Sequence, residues 1–205
     1  MHLLASLFLL LSGIATLTYQ VTWVRLLGFS MGSTSASIST VLTAFFIGMA
    51  LGSYLAQKIT HNNIQSFTPY IILEALIGLT GLLLLPILLN LDALIAMFPV
   101  LGSLLPFKFI LSLALLLVPT LCIGATFPVI ASLLIRHQHQ IGLRIGQLYG
   151  LNTLGAVFGA LATGFIFIPH VGLDGAIYIA VALNFSIVLI ALVFNRYIIF
   201  PTLDL

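Results

Sequence analysis

Very few side chains in this chain can do chemistry, since of 205 residues only six are Lys or Arg and four are Asp or Glu. One of the carboxylates, Glu74, stands within ILEALIGLTGLLLLPILL, a run with no other charged residue. A carboxylate there must be met by a cation, a water-filled cavity or hydrogen-bond donors, or else be carried as the neutral acid. Its i+4 and i+7 neighbours on a helix are Gly78 and Gly81, so its face is small and turns toward other helices. No nucleophile–base pair, glycine-rich nucleotide loop or second carboxylate accompanies it, and neither catalysis by this chain alone nor a cofactor is expected. His137 and His139 in RHQHQ are two residues apart with no Cys or carboxylate nearby, whereas a zinc site takes three or four ligands. No metal is expected.

The elements that must position Glu74 follow from composition. Hydrophobic residues make up 61% of the sequence, charged residues 5%, and the mean hydropathy is +1.29. Soluble domains carry about 25% charged residues, so this chain is built for lipid. Six apolar segments each reach the roughly 20 residues that a helix needs to cross the hydrocarbon: Leu3–Val24, Ser35–Gln57, Thr68–Asn90, Phe107–Ile135, Ile145–Ile168 and Leu173–Asn195. The reading is an all-α polytopic bundle forming one integral membrane domain over residues 1–205. The first segment has no Lys or Arg before it and no small-residue cleavage site after it, which argues for a transmembrane helix over a signal peptide. A net charge of +2 without a basic cluster excludes nucleic acid as a partner. Cys122 lies in an apolar helix, where it acts as a small filler and forms no intrachain disulfide.

Six crossings put both termini on one side. Counted by alternate loops, that side carries Lys58, Arg136, Arg144 and Arg196, while the other carries Arg25 and Lys108 together with Asp92 and Asp174. The positive-inside rule therefore predicts cytoplasmic termini, with the bacterial inner (plasma) membrane as the expected location. Residues 91–106, broken by Pro99, Gly102 and Pro106, are too apolar for an ordinary loop and too interrupted to span. They are expected to lie along the outer interface, with Asp92 as the cap of a short helix.

At about 1.5 Å per residue, Glu74 lies roughly 9 Å below the cytoplasmic start of its helix, and Ser12, Thr126, Asn152 and Asn184 fall at comparable depth in theirs. These five form a candidate intramembrane polar layer, either a ligand or ion site or a set of groups that hold helices together. Thr40, Ala44, Gly48, Gly52 and Ala56 make a small face on the second helix. Ala156, Ala160 and Gly164, flanked by Gly155 and Gly159, make one on the fifth. Both faces are expected to pack closely on neighbours, and their places as middle members of successive triplets suggest an inverted three-plus-three repeat. Pro119 and Pro128 deprive the carbonyls of Leu115 and Gly124 of their usual donors, so a kink is expected beside Thr126.

Four stretches in order resemble the membrane domain of the multi-spanning spermidine synthase-like proteins, relatives of the polyamine aminopropyltransferases. They are LSGIATLTYQVTWVRLLG with GSTSASISTVLTAFFIGMALGSYLA, ILEALIGL, PTLCIGATFPVIA and RIGQLYGLNTLGAVFGALATGFIFIPHVGLDGAIYIAVALN. Tyr19, Gln20, Trp23 and Arg25 fall on the first motif, Glu74 on the acidic position of the third helix, and Thr126 and Pro128 on GATFP. Tyr149, Asn152 and Thr153 fall on the motif opening the fifth helix. The resemblance implies a six-helix bundle like half of a major facilitator-type transporter, coupled to a cytoplasmic synthase domain that binds decarboxylated S-adenosylmethionine and a polyamine. No stretch of this sequence corresponds to that domain. Two functional readings follow. The first is a non-catalytic membrane subunit, surrounded by lipid, that anchors or assists another protein subunit or a second copy of itself. The second is a small carrier for a cationic or amphipathic metabolite such as a polyamine.

Overall fold

The computed structural model describes residues 2–60, 66–98, 100–134 and 141–197; Arg136, His137 and His139 lie outside these residues. Its elements are α1 (His2–Met31), α2 (Thr34–Thr60), α3 (Thr68–Leu89), the short α4 (Leu91–Ala96), α5 (Leu105–Leu134), α6 (Ile141–Ala162), a π turn (Thr163–Phe167) and α7 (Ile168–Tyr197). The described residues form an all-helical bundle. Five segments are long and apolar enough to cross a membrane: Leu3–Met31, Thr34–Lys58, Thr68–Leu89, Leu105–Leu133 and Gly142–Asn195.

Several boundaries differ from the sequence reading. The first helix continues past Val24 to Met31, so Arg25 lies within α1 and is exposed there. The expected segments 145–168 and 173–195 form one apolar stretch of 54 residues, joined through the π turn. At about 1.5 Å per residue it would extend roughly 80 Å, well beyond one bilayer core of about 30 Å. Its backbone leaves the helical region once, at Gly172 (φ 75, ψ −178), a conformation that an L side chain would strain. Neighbouring side chains give the directions on either side of that break. Leu10 lies by Gly155 and Ile14 by Gly159, so α6 runs parallel to α1. Asn184 meets Glu74, and Asn195 meets Phe67, so α7 runs antiparallel to α3. Phe8 packs on Phe67, and Tyr19 lies over Gly81, so α3 is parallel to α1. The chain therefore reverses at Gly172.

Asp92 is not a cap. Asn90 holds the N-cap position of α4 without a side-chain capping bond, its Nδ2 donating instead to Pro86 O, and Asp92 in the first turn accepts a hydrogen bond from Ser30 Oγ of α1. Lys108 Nζ donates to the carbonyl of Ser30 at 2.7 Å, so the end of α1, α4 and the start of α5 are tied together.

The main partnerships are α1 with α6, α2 with α5 and α3 with α7. Exchanging the first triplet of long helices for the second (α1 for α5, α2 for α6, α3 for α7) turns the first pairing into the second and leaves the third unchanged. Both small faces are engaged, each on its own partner. A Cβ on Gly48 would strike Thr120, and one on Gly52 the carbonyl of Leu121, both of α5; on Gly155 and Gly159 it would strike the Leu10 and Ile14 carbonyls of α1. On α6 the closest approach is therefore made by Gly155 and Gly159. Gly164 has open space where a Cβ would stand among the described residues.

Candidate functional site

The expected polar layer separates into two groups. The first is enclosed by α1, α3 and α7. Tyr19 Oη donates to Asn184 Oδ1 at 2.9 Å, and Asn184 Nδ2 donates to Glu74 Oε2 at 2.6 Å. The hydroxyls of Ser12 and Tyr70 face the same carboxyl, although Glu74 Oε1 and Tyr70 Oη meet no partner in good hydrogen-bond geometry. Glu74, Tyr19 and Tyr70 have no exposed surface, and Asn184 and Ser12 have almost none. The two glycines beside Glu74 make the room: Gly81 lies under the Tyr19 ring, and Gly78 lies against Asn184 and Phe185. Trp23, also fully buried, stacks on Tyr19 with ring centroids 5.2 Å apart and packs on Phe45.

Chemically, this network gives the carboxyl one amide donor and two hydroxyls that can give or take a proton-bearing bond. It joins three helices at one depth. Glu74 itself has no exposed surface.

The second group lines a groove of about 400 Å³ between α1, α2, α5 and α6. Gln20, Thr126, Pro128, Tyr149, Asn152 and Thr153 all line it, so residues from three separate motif stretches converge there. Thr126 Oγ1 donates to its own helix at Ile123 O, and Thr153 Oγ1 to Tyr149 O. The amides of Gln20 and Asn152 have no hydrogen-bond partner among the described residues. Phe127 and Tyr149 meet edge to face with centroids 5.7 Å apart, and Phe46 and Tyr149 are exposed on the rim. Among the described residues, no charged side chain lines this groove.

Helix α5 is continuous through Pro119 and Pro128. The carbonyl of Gly124, deprived of its donor by Pro128, accepts a bond from Ser53 Oγ of α2 at 3.0 Å. Sequence reasoning missed Ser53 and Tyr70. Tyr70 is four residues before Glu74 on the same helix face, a spacing that could have revealed it; nothing in the sequence says which helix brings a donor to Gly124. Arg25 lies apart from both groups, beside a cleft with Ser33 and Thr34 near the junction of α1 and α2.

The chain matches no protein-family model, no curated protein and no solved structure.

Proposed function

We propose that this chain is a non-catalytic integral membrane subunit that crosses the bilayer six times with cytoplasmic ends and packs through α6 against another membrane helix. The observation that carries the reading is a second glycine row. Gly142, Gly146 and Gly150 repeat every four residues on α6, and among the described residues nothing comes within 4 Å of where their Cβ atoms would stand. Rows of this kind let helix backbones approach closely in lipid, where association depends on van der Waals contact. Such a role suits the resemblance to spermidine synthase-like membrane domains, with the synthase-like protein as one candidate partner. The six crossings rest on the length of Gly142–Asn195 and the reversal at Gly172, and the transporter-like half-bundle rests on the exchange symmetry of the helix pairs.

The open row makes a clean test. Gly146→Leu should leave the fold intact, since no described residue stands within 4 Å of its Cβ position, yet reduce the size of the assembly extracted in mild detergent to that of the isolated chain. A parent protein that already runs as the isolated chain, or an assembly unchanged by Gly146→Leu, would overturn the reading. Reporter fusions after Gln65, Gly102 and Val171 should place the first on one side of the membrane and the other two opposite; all three on one side would refute six crossings.

The carrier reading has one observation in its favour, the groove with its two free amides. It lacks a carboxylate, so a polyamine would find no counter-charge there, and Glu74 is sealed from it.

A further inference from the structure

The groove between α1, α2, α5 and α6 poses a physical problem independent of any partner on α6. Gln20 and Asn152 stand away from the helix ends, at a depth where water is scarce, and a primary amide left without partners in hydrocarbon is costly. Their amides are accessible from the groove and unpaired among the described residues. The rim residues Phe46, Met49 and Tyr149 are exposed, and their neighbours on the outer surface, Ile47, Leu154 and Val157, are apolar and exposed as well. The opening therefore faces the acyl region of the bilayer. A volume of about 400 Å³ falls within the usual range for a small-molecule site of roughly 300–1,000 Å³.

We infer that this groove binds an uncharged amphipathic lipid that enters from the bilayer, its hydroxyl or carbonyl head held by the Asn152 amide and its chain lying between Phe46 and Phe127. The Asn152 amide offers two donors and an acceptor, and Tyr149, three residues before it on α6, adds a hydroxyl, so a head that both gives and accepts hydrogen bonds satisfies both. Charge is excluded by the lining itself. An anionic or cationic head would lose its hydration at this depth without meeting an opposite charge.

The test uses the full chain in phosphatidylcholine nanodiscs and a monoacylglycerol with a diazirine in its acyl chain. After illumination, mass spectrometry should place the label on peptides containing Phe46, Met49 or Tyr149, and unlabelled monoolein should compete it away. Asn152→Leu removes the amide's hydrogen bonds to the head and should raise the half-saturating concentration roughly tenfold, with melting temperature unchanged. Should that variant fail to fold, Phe46→Trp, which narrows the rim without touching a hydrogen bond, must reduce labelling instead. Diazirine analogues with a carboxylate or an alkylammonium head should label the groove less. The inference is overturned if label spreads evenly over the outward faces of α3 and α7, if neither variant reduces it, or if a charged analogue labels more strongly. Competition by water-soluble monobutyrin equal to that by monoolein would overturn entry from the bilayer. None of these readouts depends on assembly through Gly146, so loss of either proposal leaves the other standing.

Discussion

The two polar groups of this protein are made from the same kinds of side chain and differ in what surrounds them. The Glu74 group is closed by α1, α3 and α7, and its amide is paired on both sides: Asn184 accepts from Tyr19 and donates to Glu74. The groove group is open, and the Gln20 and Asn152 amides have no partner among the described residues. Buried polar groups in lipid stabilise when they are paired and are costly when they are not. The closed group is therefore read as structure and the open one as a place for something else. The contrast also shows why depth alone was a poor guide. Thr126 and Asn152 share a depth with Glu74 but lie on helix faces directed to a different space.

Glu74→Leu should break the comparison most severely. It strands the Asn184 amide and takes away the carboxyl that the Ser12 hydroxyl faces, at about 1–3 kcal/mol for each group left unsatisfied. A large fall in detergent melting temperature, or loss of the monodisperse peak, is the expected result. Glu74→Gln keeps the shape and an acceptor, and should lose markedly less; equal loss in both variants would mean that packing volume, and not hydrogen bonding, holds this site.

Next in size is Gly52→Leu, which drives a side chain into the Leu121 carbonyl of α5 and should cost about 1–3 kcal/mol by overpacking. An unchanged melting temperature would show that α2 and α5 do not approach as described. Ser53→Ala, smaller again, leaves the Gly124 carbonyl without its replacement donor. A loss of about 0.6 kcal/mol is expected, in line with interhelical hydrogen bonds in membranes. The smallest effect belongs to the groove: Asn152→Leu should leave stability within about 0.5 kcal/mol of the parent, as for sites that break no internal contact. A loss as large as that of Glu74→Leu would erase the distinction between the closed and open groups.

Much of this was legible in the chain itself. Segment hydropathy identifies a membrane protein because backbone groups in lipid must bond within their own helix, leaving side-chain polarity as the only signal that varies. The i+4 and i+7 glycines beside Glu74 marked its face as one that touches other helices, and Tyr19 and Asn184 fill the space those glycines leave. The small faces of α2 and of α6 were visible as four-residue repeats. Their partners were not, since any helix can accept a small face in lipid.

The sequence determined by itself that the chain carries segments long and apolar enough to cross a bilayer, that Glu74 must be sheltered by other helices, and where close backbone approach is possible, because each of these depends only on local composition and the period of one helix. Only the tertiary structure decided that Gly48 and Gly52 meet α5 while Gly155 and Gly159 meet α1, that Ser53 restores the bond lost at Pro128, and that the expected polar layer is two sites. Those outcomes depend on which helix faces which, set by long-range packing among apolar surfaces that look alike in one dimension. Gly172 joins both levels: glycine permits its positive φ, but the reversal it makes is fixed by α6 lying along α1 and α7 along α3.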